Sequence, residues 1–288
     1  MCTLVGVSAV RRCETRRVSD RPRVLATLEG YAIEGGFDRR YCPSTCYSPK
    51  VALGRVRGPD DAEQLWRDYE RVLAPAAALG LDGIRLTVEW ARVEPRRGEV
   101  DESALERYAE VVLAARALGL DVTIALVDTV WPSWLGLECW LLPWTVDYVV
   151  AHAHRVVQRL GAHVTGVVDF TAPDAMISNG FLLGTTPPWR TRASADATDA
   201  SAQVHHVRQL LAASEVVGPR LVTHYATLSL DQSFEEFARV ASTPQLEEIY
   251  VRALVRGSGP TAAPAGLLER RDDGWVASAS SELLVALL

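Results

Sequence analysis

Ala-Leu-Gly-Leu-Asp at residues 78–82 leads directly into an apolar run, and the same five residues return at 117–121 before a second apolar run. A weaker copy, Leu-Gly-Ala-His, lies at residues 160–163 and precedes a third run. In each copy the glycine follows a stretch with helical periodicity. Glycine just past a helix permits the left-handed turn that leads the chain back to a sheet. The repeat therefore predicts consecutive helix–glycine–strand units.

The helix of the second unit shows the clearest pattern. Asp101 is well placed to cap its start, because an aspartate there accepts hydrogen bonds from the first free backbone amides. The runs after the glycines are almost continuously apolar, as in strands that are covered on both faces. Parallel β–α units follow, with an earlier strand expected near residues 23–28. One helix face carries the apolar residues Leu105, Tyr108, Val111, Val112, Ala115 and Leu118.

Two arrangements fit this alternation, an open doubly wound sheet and a closed (β/α) barrel. No Gly-rich phosphate loop follows any of the strands, which argues against a nucleotide-binding sheet. Polar residues gather at the strand ends, which form the functional mouth of a barrel, although some of them could instead cap helices or face solvent. We therefore predict an α/β fold of the (β/α) TIM-barrel type. The residues at the strand ends are Glu29, Glu34, Glu89, Asp128, Asp169 and Thr171.

The pattern weakens after about residue 190. The polar, Ala/Thr-rich segment 190–201 predicts a loop. Beyond it we expect a helix at 204–217, a strand at 221–230, and helices at 234–241 and 246–255. These elements give about five clear strands. The barrel is therefore predicted to be shortened after about the fifth strand or completed by another chain.

A single barrel-like domain is expected over residues 1–288, because a chain of this length forms one barrel-sized core better than two small ones. Residues 1–22 are interpreted as an N-terminal extension, and residues 258–288 as a divergent C-terminal segment. That segment ends in the apolar run Leu283–Leu288, which would be exposed unless it packs.

The charge and hydropathy patterns exclude several classes of protein. A net charge of −6 gives no electrostatic footprint for nucleic acid, and no basic cluster stands apart from acidic neighbours. No segment approaches the roughly 20 apolar residues of a membrane span. No basic stretch precedes the apolar residues 2–10, which argues against a secretory signal. We expect a cytoplasmic protein with no membrane or nucleic-acid partner.

The cysteine pattern indicates neither disulfides nor a metal. Five cysteines with irregular spacing do not suggest a disulfide framework. Cys42 and Cys46 lie four residues apart, but no second ligand pair follows at a spacing that would complete a zinc site. We expect reduced thiols, no bound metal and no cofactor.

Four segments carry a more specific signal. Residues 31–35 read Tyr-Ala-Ile-Glu-Gly, and residues 84–95 read Ile-Arg-Leu-Thr-Val-Glu-Trp-Ala-Arg-Val-Glu-Pro. Residues 126–135 read Leu-Val-Asp-Thr-Val-Trp-Pro-Ser-Trp-Leu, and Phe-Thr-Ala-Pro follows at 170–173. In this order and spacing they resemble the strand signatures of the family 1 β-glycosidases, Tyr-Gln-Ile-Glu-Gly, Tyr-Arg-x-Ser-Ile-x-Trp-Ser-Arg-Ile-x-Pro, His-x-Asp-x-Pro-x-Trp-Leu and Asn-Glu-Pro. The resemblance, over residues 25–190, implies a (β/α) barrel.

The departures from the family pattern fall on its chemistry. The resemblance implies two catalytic carboxylates about 5–5.5 Å apart, one protonating the leaving oxygen and the other attacking. At the acid/base position the chain has Ala172, which transfers no proton. Thr171, Ala32 and Asp128 stand where the family has the Asn, Gln and His that hold the sugar, and no Thr-Glu-Asn-Gly nucleophile motif occurs in this sequence. We do not expect a conventional retaining β-glycosidase.

Residues that support the family's architecture are retained, which indicates a changed function rather than random decay. They are Arg85, Trp90, Arg92, Pro132, Trp134 and Pro173.

Arg85 and Asp128 are the most informative positions. The family places Arg85 at the barrel floor beside the nucleophile, and a buried guanidinium requires an anion. It would bind a carboxylate, sulfate or phosphate of a ligand, or pair internally with Glu29 or Glu89. Asp128 would hold or deprotonate a ligand amine or hydroxyl, unless it is a solvated loop acid.

The predicted site has two groups of residues. The predicted catalytic residues are Asp128, Asp169 and Glu89, and Tyr225 is included among the binding residues because residues 223–225 faintly resemble the family's Asn-Tyr-Tyr strand. The predicted substrate-binding residues are Arg85, Glu29, Glu34, Thr171, Trp131 and Tyr225.

Three classes of function remain open. The first is a non-hydrolytic enzyme, of the kind found in specialised metabolism, that acts on a small, polar, partly anionic substrate by acid/base or elimination and cyclisation chemistry. The second is a noncatalytic subunit that needs a partner chain. The third is a β-glycosidase with a relocated catalytic acid. In each case a homo- or hetero-oligomer is expected, because an incomplete barrel leaves a sheet edge to be covered.

Overall fold

The computed structural model describes residues 24–221 and four strands beyond them. Within this part of the chain the strands are β1 Val24–Leu28, β2 Gly83–Thr87, β3 Asp121–Val127, β4 Gly166–Phe170, β5 Glu248–Arg252, β6 Leu268–Arg271, β7 Gly274–Ala277 and β8 Glu282–Leu287. The helices are α1 Gly30–Ile33, α2 Ser48–Ala52, α3 Tyr69–Ala78, α4 Trp90–Val93, α5 Glu102–Ala117, α6 Thr145–Leu160, α7 Pro173–Ile177 and α8 Ser194–Ala213. No helix in these ranges is long and apolar enough to cross a membrane.

Six strands form one parallel sheet, in the order β4-β3-β2-β1-β8-β5. β1 to β4 pair in sequence order, and β8 pairs with β1 on its other side. In a (β/α) barrel the C-terminal strand pairs with the first strand in this way. The described strands do not close into a ring, because β4 and β5 are the outer strands of the sheet. β6 and β7 form a separate antiparallel pair. The prediction of an incomplete (β/α) barrel is therefore confirmed.

The glycines of the repeated units have two different roles. Gly80 and Gly119 adopt φ values of +70° and +82°, which confirms the predicted left-handed turns after α3 and α5. Gly161, after α6, has a φ of −58°. A Cβ there would lie 2.5 Å from the carbonyl oxygen of Val157, so this third glycine permits close packing rather than a turn.

The two faces of the sheet are filled differently. Because alternate residues of a strand point to opposite faces, one face presents Ile84, Leu86, Val122 and Ile124, which pack in the main core with residues of α5 and α6 such as Val112. The other face has a small apolar cluster and several polar side chains. The apolar members are Leu25, Ala125, Val168 and Ala172, and the polar residues of the same register are Thr27, Arg85 and Thr123.

The helix α5 follows the sequence prediction closely. Asp101 caps it by accepting a 3.2 Å hydrogen bond from the backbone N–H of Ala104. Five of the six predicted apolar residues are buried. Leu118 differs, because it lies past the end of α5 and is 45% exposed.

The segment 190–201 is not a loop throughout, because α8 begins at Ser194. Its polar composition suggested a loop, but the small residues Ala197 and Ala200 are buried. They continue the stripe formed by Val204, Val207 and Leu211 at helical spacing. Burial of these alanines therefore extends the start of the helix by about three turns beyond the start that its hydrophobicity indicated. The helix ends at Ala213, before the predicted residue 217.

The C-terminal elements also differ from expectation. The predicted helix at 246–255 contains the strand β5 instead, because Glu248–Arg252 pairs in parallel with β8. The apolar run Leu283–Leu288 largely forms β8, which pairs with β1 on one side and with β5 on the other. Among the described residues the sheet accordingly has six strands rather than five. Residues 1–22, Tyr225 and the predicted helix at 234–241 lie outside the described residues, as does the predicted strand at 221–230 apart from Leu221.

Candidate active site

The carboxyl ends of β1 to β4 carry most of the predicted polar residues. Glu29 follows β1 and precedes α1, and Glu89 precedes α4 two residues after β2. Asp128 comes directly after β3, and Thr171 directly after β4. Because the sheet is parallel, these four positions share one edge of it.

Glu89 is buried in the middle of this edge, with 1% of its surface exposed. Its Oε1 accepts a 2.8 Å hydrogen bond from the backbone N–H of Tyr31, in α1. Its own backbone N–H donates to the hydroxyl of Tyr108, on α5, at 3.0 Å. Gly30 makes this close approach possible, since a Cβ there would lie 2.3 Å from Glu89 Cγ.

Glu34 lies beside Glu89 and is held at both oxygens. Its Oε1 accepts a 2.7 Å hydrogen bond from the hydroxyl of Tyr108, and its Oε2 accepts one of 2.8 Å from Arg92 Nε. Arg92 also donates to the carbonyl of Gly35 at 2.8 Å. The Glu34 side chain is wholly buried, so this ion pair lies inside the protein. Such a pair needs several hydrogen bonds to offset the loss of hydration.

Aromatic rings hold the Arg92 end of this pair. The guanidinium carbon of Arg92 lies 4.2 Å from the ring centroid of Phe37 and 4.0 Å from that of Trp66. A cavity of about 220 Å³ opens beside the pair, with Cys42 and Arg67 among its lining residues. Glu34 and Arg92 therefore lie next to Glu89 and also line this cavity.

Burial and neighbouring charges separate the two carboxyls electrostatically. Burial raises the pKa of Glu89 well above its ordinary value of 4.5, and the charges of Glu34 and Asp128 raise it further. Burial also raises the pKa of Glu34, but Arg92 and the Tyr108 hydrogen bond oppose that effect. The pKa of both carboxyls is therefore raised, but only Glu34 accepts hydrogen bonds from Arg92 and Tyr108 that oppose the rise. Neighbouring carboxyls in unlike surroundings are the arrangement by which active sites assign an acid and a base.

Asp128 is half-buried and accepts two hydrogen bonds at its Oδ1. One comes from the backbone N–H of Thr129 at 2.7 Å, and the other from the hydroxyl of Thr171. Burial raises the pKa of the Tyr47 hydroxyl, and the charge of Asp128 adds to this effect. Asp128 thus acts electrostatically on both Glu89 and Tyr47, which places the three side chains around one region of the mouth.

Asp169 and Trp131 have contacts of a different kind. Asp169 accepts a 2.9 Å hydrogen bond from Arg208 Nε on α8, and another of 2.7 Å from the backbone of Phe170. Trp131 is fully buried, and its indole N–H donates to the carbonyl of Gly136 at 2.9 Å. The structure therefore uses Asp169 to hold α8 against the sheet and Trp131 to fill the core.

Arg85 lies in the middle of β2, 1% exposed, and is paired in register with Thr27 and Thr123 on the polar face of the sheet. It takes part in interactions with other groups of the protein, as does Glu29. The end of β4 carries Ala172, 8% exposed, immediately before α7.

Sequence reasoning missed Tyr108 and Gly30. Tyr108 was interpreted only as one member of the apolar face of α5, and nothing in its spacing indicates that its hydroxyl reaches two other elements. Gly30 directly follows Glu29, and a glycine next to a predicted site residue was the one available signal of a close approach.

Comparisons with known proteins identify relatives of this chain. The sequence pattern of the family described as glycosyl hydrolase family 1 matches residues 31–258. A 6-phospho-beta-galactosidase of Clostridium acetobutylicum is 30% identical over 139 residues, which is 47% of this chain and 29% of that protein. The galactolipid galactosyltransferase SFR2 of Arabidopsis thaliana, described as chloroplastic, is 27% identical over 135 residues, 44% of this chain and 22% of that protein.

Solved structures agree on the fold. A beta-glycosidase from Pyrococcus horikoshii superposes with a TM-score of 0.61 at 18% sequence identity, over 82% of this chain and 62% of that one. The chain aligns with less than a third of the length of the two relatives named above.

Proposed function

We propose, from the premise that this chain belongs to glycosyl hydrolase family 1, that it is an enzyme that acts by acid/base chemistry on a small, polar, partly anionic molecule without hydrolysing a glycoside. The observation that carries the proposal is the buried carboxyl of Glu89, whose pKa is raised by burial and by the charges of Glu34 and Asp128. An acid whose pKa is raised toward the working pH can serve as a general acid, and a neighbouring carboxylate as a general base.

The roles of the two residues follow from their surroundings. Glu89 would donate its proton to a leaving oxygen of the ligand. Asp128, half-buried, would accept a proton from a carbon, hydroxyl or amine. In an elimination, Asp128 takes the proton, the electron pair forms the new double bond, the carbon–oxygen bond breaks, and the oxygen leaves with the proton of Glu89. Proton exchange with solvent then restores both carboxyls.

Hydrolysis by the usual route of the family is disfavoured by the end of β4. A retaining glycosidase requires a proton-transferring group there, and the chain has Ala172, whose methyl group cannot serve. A galactosyltransferase is among the relatives, which supports the idea that a chain of this family can carry out a reaction other than hydrolysis.

The anionic character of the substrate rests on Arg85. A buried guanidinium on the polar face of β2 matches a carboxylate, sulfate or phosphate through paired hydrogen bonds. The Clostridium relative is a 6-phospho-beta-galactosidase, a name that refers to a phosphorylated sugar. This supports a phosphate or similar group of the ligand as the partner of Arg85. Internal pairing of Arg85 with Glu29 or Glu89 is the competing arrangement, and calorimetry of Arg85→Ala distinguishes the two.

A noncatalytic subunit is the second candidate, because the 1% exposure of Glu89 leaves little of it accessible to a ligand. In that case Glu89 would only fix the backbone of Tyr31. The two candidates differ in whether any small molecule is consumed.

The test is turnover of a metabolite extract, followed by mass spectrometry, with purified protein that has also been analysed for a bound ligand. We expect at least one polar anionic compound to be consumed by the wild type and not by Glu89→Gln or Asp128→Asn. Glu110→Gln, on the exposed surface of α5, is the matched control and should behave as the wild type. Turnover unchanged in both site variants would refute the proposal, and so would no consumption by any folded form.

A further inference from the structure

We propose that Glu34 is a positioning residue: its carboxylate, fixed beside Glu89 by Arg92 and Tyr108, keeps the Glu89 carboxyl in its proton-bearing form. This rests on the proposed function for its consequence in catalysis, but its physical content concerns two side chains of the protein alone. Glu34 itself would touch no substrate.

The two carboxyls border the same small space above Gly30. A Cβ on Gly30 would lie 2.8 Å from Glu89 Oε1 and 3.0 Å from Glu34 Oε1. No residue larger than glycine fits between them without displacing one carboxyl. The sequence therefore brings two acids together at the end of β1, where a side chain would otherwise separate them.

The hydrogen bonds decide which of the two acids is ionised. Glu34 receives a guanidinium N–H at 2.8 Å and a phenol O–H at 2.7 Å, and both donors stabilise a carboxylate. The carboxyl of Glu89 accepts a hydrogen bond from the uncharged backbone N–H of Tyr31. Two nearby buried carboxyls do not ionise together easily, so the one with the stronger hydrogen-bond donors takes the charge. Glu34 takes the charge, and Glu89 retains the proton.

Each element packed around Glu89 contributes a charged or titratable group. Arg92 of α4 favours its ionised form, whereas Glu34 after α1 and Asp128 after β3 disfavour it. The Tyr108 hydroxyl of α5 contacts its backbone, and the thiol of Cys46 lies within electrostatic range. Among these groups Glu34 and Asp128 are the anions that raise the pKa of Glu89, and the Glu34 carboxylate is the one that Arg92 and Tyr108 fix.

Because Glu34 acts through Glu89, its removal should change the proton affinity of Glu89 and leave substrate contacts intact. In the pH–rate profile, the alkaline limb of kcat would move to lower pH while KM stayed the same. A merely structural role for Glu34 would lower stability and leave that limb where it is.

The direct test is infrared difference spectroscopy of the full chain, with the Glu89→Gln spectrum subtracted to isolate the carbonyl band of protonated Glu89. In the wild type we expect this band to persist through neutral pH. In Glu34→Gln its midpoint should fall by about one pH unit or more. Glu34→Asp, which keeps the charge, should retain a midpoint near that of the wild type.

Glu34→Gln leaves the buried Arg92 without its carboxylate, so a second variant covers a failure to fold. In Glu34→Gln/Arg92→Gln both charges of the pair are absent, and the midpoint should fall by less than in Glu34→Gln, because Arg92 favours the ionised form of Glu89 less strongly than Glu34 disfavours it. An unchanged midpoint in either folded variant would overturn the inference, as would a wild type without the Glu89 band at neutral pH. A band that behaves as expected in a protein with no turnover would refute the proposed enzyme and leave this inference standing.

Discussion

The backbone N–H of Tyr31 lies 2.8 Å from Glu89 Oε1 and joins the start of α1 to the end of β2. This hydrogen bond gives a buried carboxyl only modest stabilisation of its charge. Burial therefore dominates, and folding favours the protonated form of Glu89.

Glu89→Gln should make the protein more stable at neutral and alkaline pH. The folded pKa of Glu89 lies above its unfolded value, so the folded state holds more protons between the two values and stability falls as pH rises through that window. Relative to the variant, the free energy of unfolding of the wild type should fall by up to about 1.4 kcal/mol for each pH unit above about pH 4.5. Thermal melts of both proteins across pH 4 to about 9 measure the difference. Parallel curves for the two proteins would show that the carboxyl is ionised in the folded state, and Glu110→Gln provides the baseline for an exposed acid.

His152 should contribute to acid unfolding with the opposite sign. It is buried on α6, its ring stacked on Trp90 at 4.9 Å between centroids, and burial together with Arg155 lowers its pKa to about 3. Its contribution to stability is complete above the unfolded value of 6.5 and is lost as pH falls toward 3. His152→Phe, which keeps a stacked ring, should flatten the stability curve in this window by up to about 1.4 kcal/mol per pH unit. His206→Phe, at an exposed position, is the control. If the stability of the two variants depends on pH in the same way, the burial argument for His152 is wrong.

Activated aryl β-glucosides and β-galactosides should not be hydrolysed at a rate typical of the family. Ala172 offers no acid at the end of β4, and loss of a single catalytic group commonly lowers kcat by about 10³-fold or more. Ala172→Glu should not restore ordinary turnover, since the sequence lacks the family's nucleophile motif. The rate of hydrolysis is measured from the absorbance of the released aryl alcohol. Ordinary turnover by clean wild-type protein would favour a glycosidase with a relocated acid.

Arg85→Ala should weaken anion binding without unfolding the protein. A charge-assisted contact is worth about 1.5–3 kcal/mol, so the affinity for the ligand identified by mass spectrometry should fall roughly ten- to hundredfold. Arg85→Lys should rescue binding poorly, because an ammonium does not reproduce the paired hydrogen bonds of a guanidinium. Titration calorimetry and thermal melts together give the answer. A sharply lowered melting temperature with normal binding by the folded fraction would assign Arg85 to the barrel floor alone.

The protein should form an obligate homo- or hetero-oligomer. In the described part of the sheet, β5 pairs with β8 on one side, and the outer side of β4 carries a single bridge between Val167 and Leu221. Edges of this kind are covered in stable proteins. Light scattering at micromolar concentration should detect a dimer or larger species. A stable monomer would mean that the chain covers both edges itself.

The first half of the fold could be predicted because its information is local. Gly80 and Gly119 mark the ends of helices, and the apolar runs after them leave little choice but buried parallel strands. β5 and β8 were not predicted as strands because they are defined by pairing with each other and with β1, contacts that no short window of sequence contains. The first turns of α8 were not predicted, because the sequence alone does not distinguish an alanine that is buried in a helix from an alanine in a loop.

In the site, too, the features that depend on local sequence could be predicted, and those that depend on tertiary contacts could not. The acids at the strand ends could be predicted, since strand ends in a parallel sheet converge wherever they lie in the sequence. The link among Glu34, Arg92 and Tyr108 could not, because it requires the relative positions of α1, α4 and α5. Hydrogen-bond geometry at this level depends on tertiary packing.

The pairing of β1 with β8 has a consequence for biosynthesis. Val24 lies opposite Val285, so two strands that are far apart in the sequence are neighbours in the sheet. β2, β3 and β4 can add to β1 in the order in which they emerge from the ribosome, but the other side of β1 has no mate until β8 has been made. Pairing between such distant segments is slow, because the chain entropy is lost before the contact forms. Until β8 has been made, the nascent chain therefore presents one side of β1 unpaired, and its yield in the cell should depend on chaperones that shield that strand.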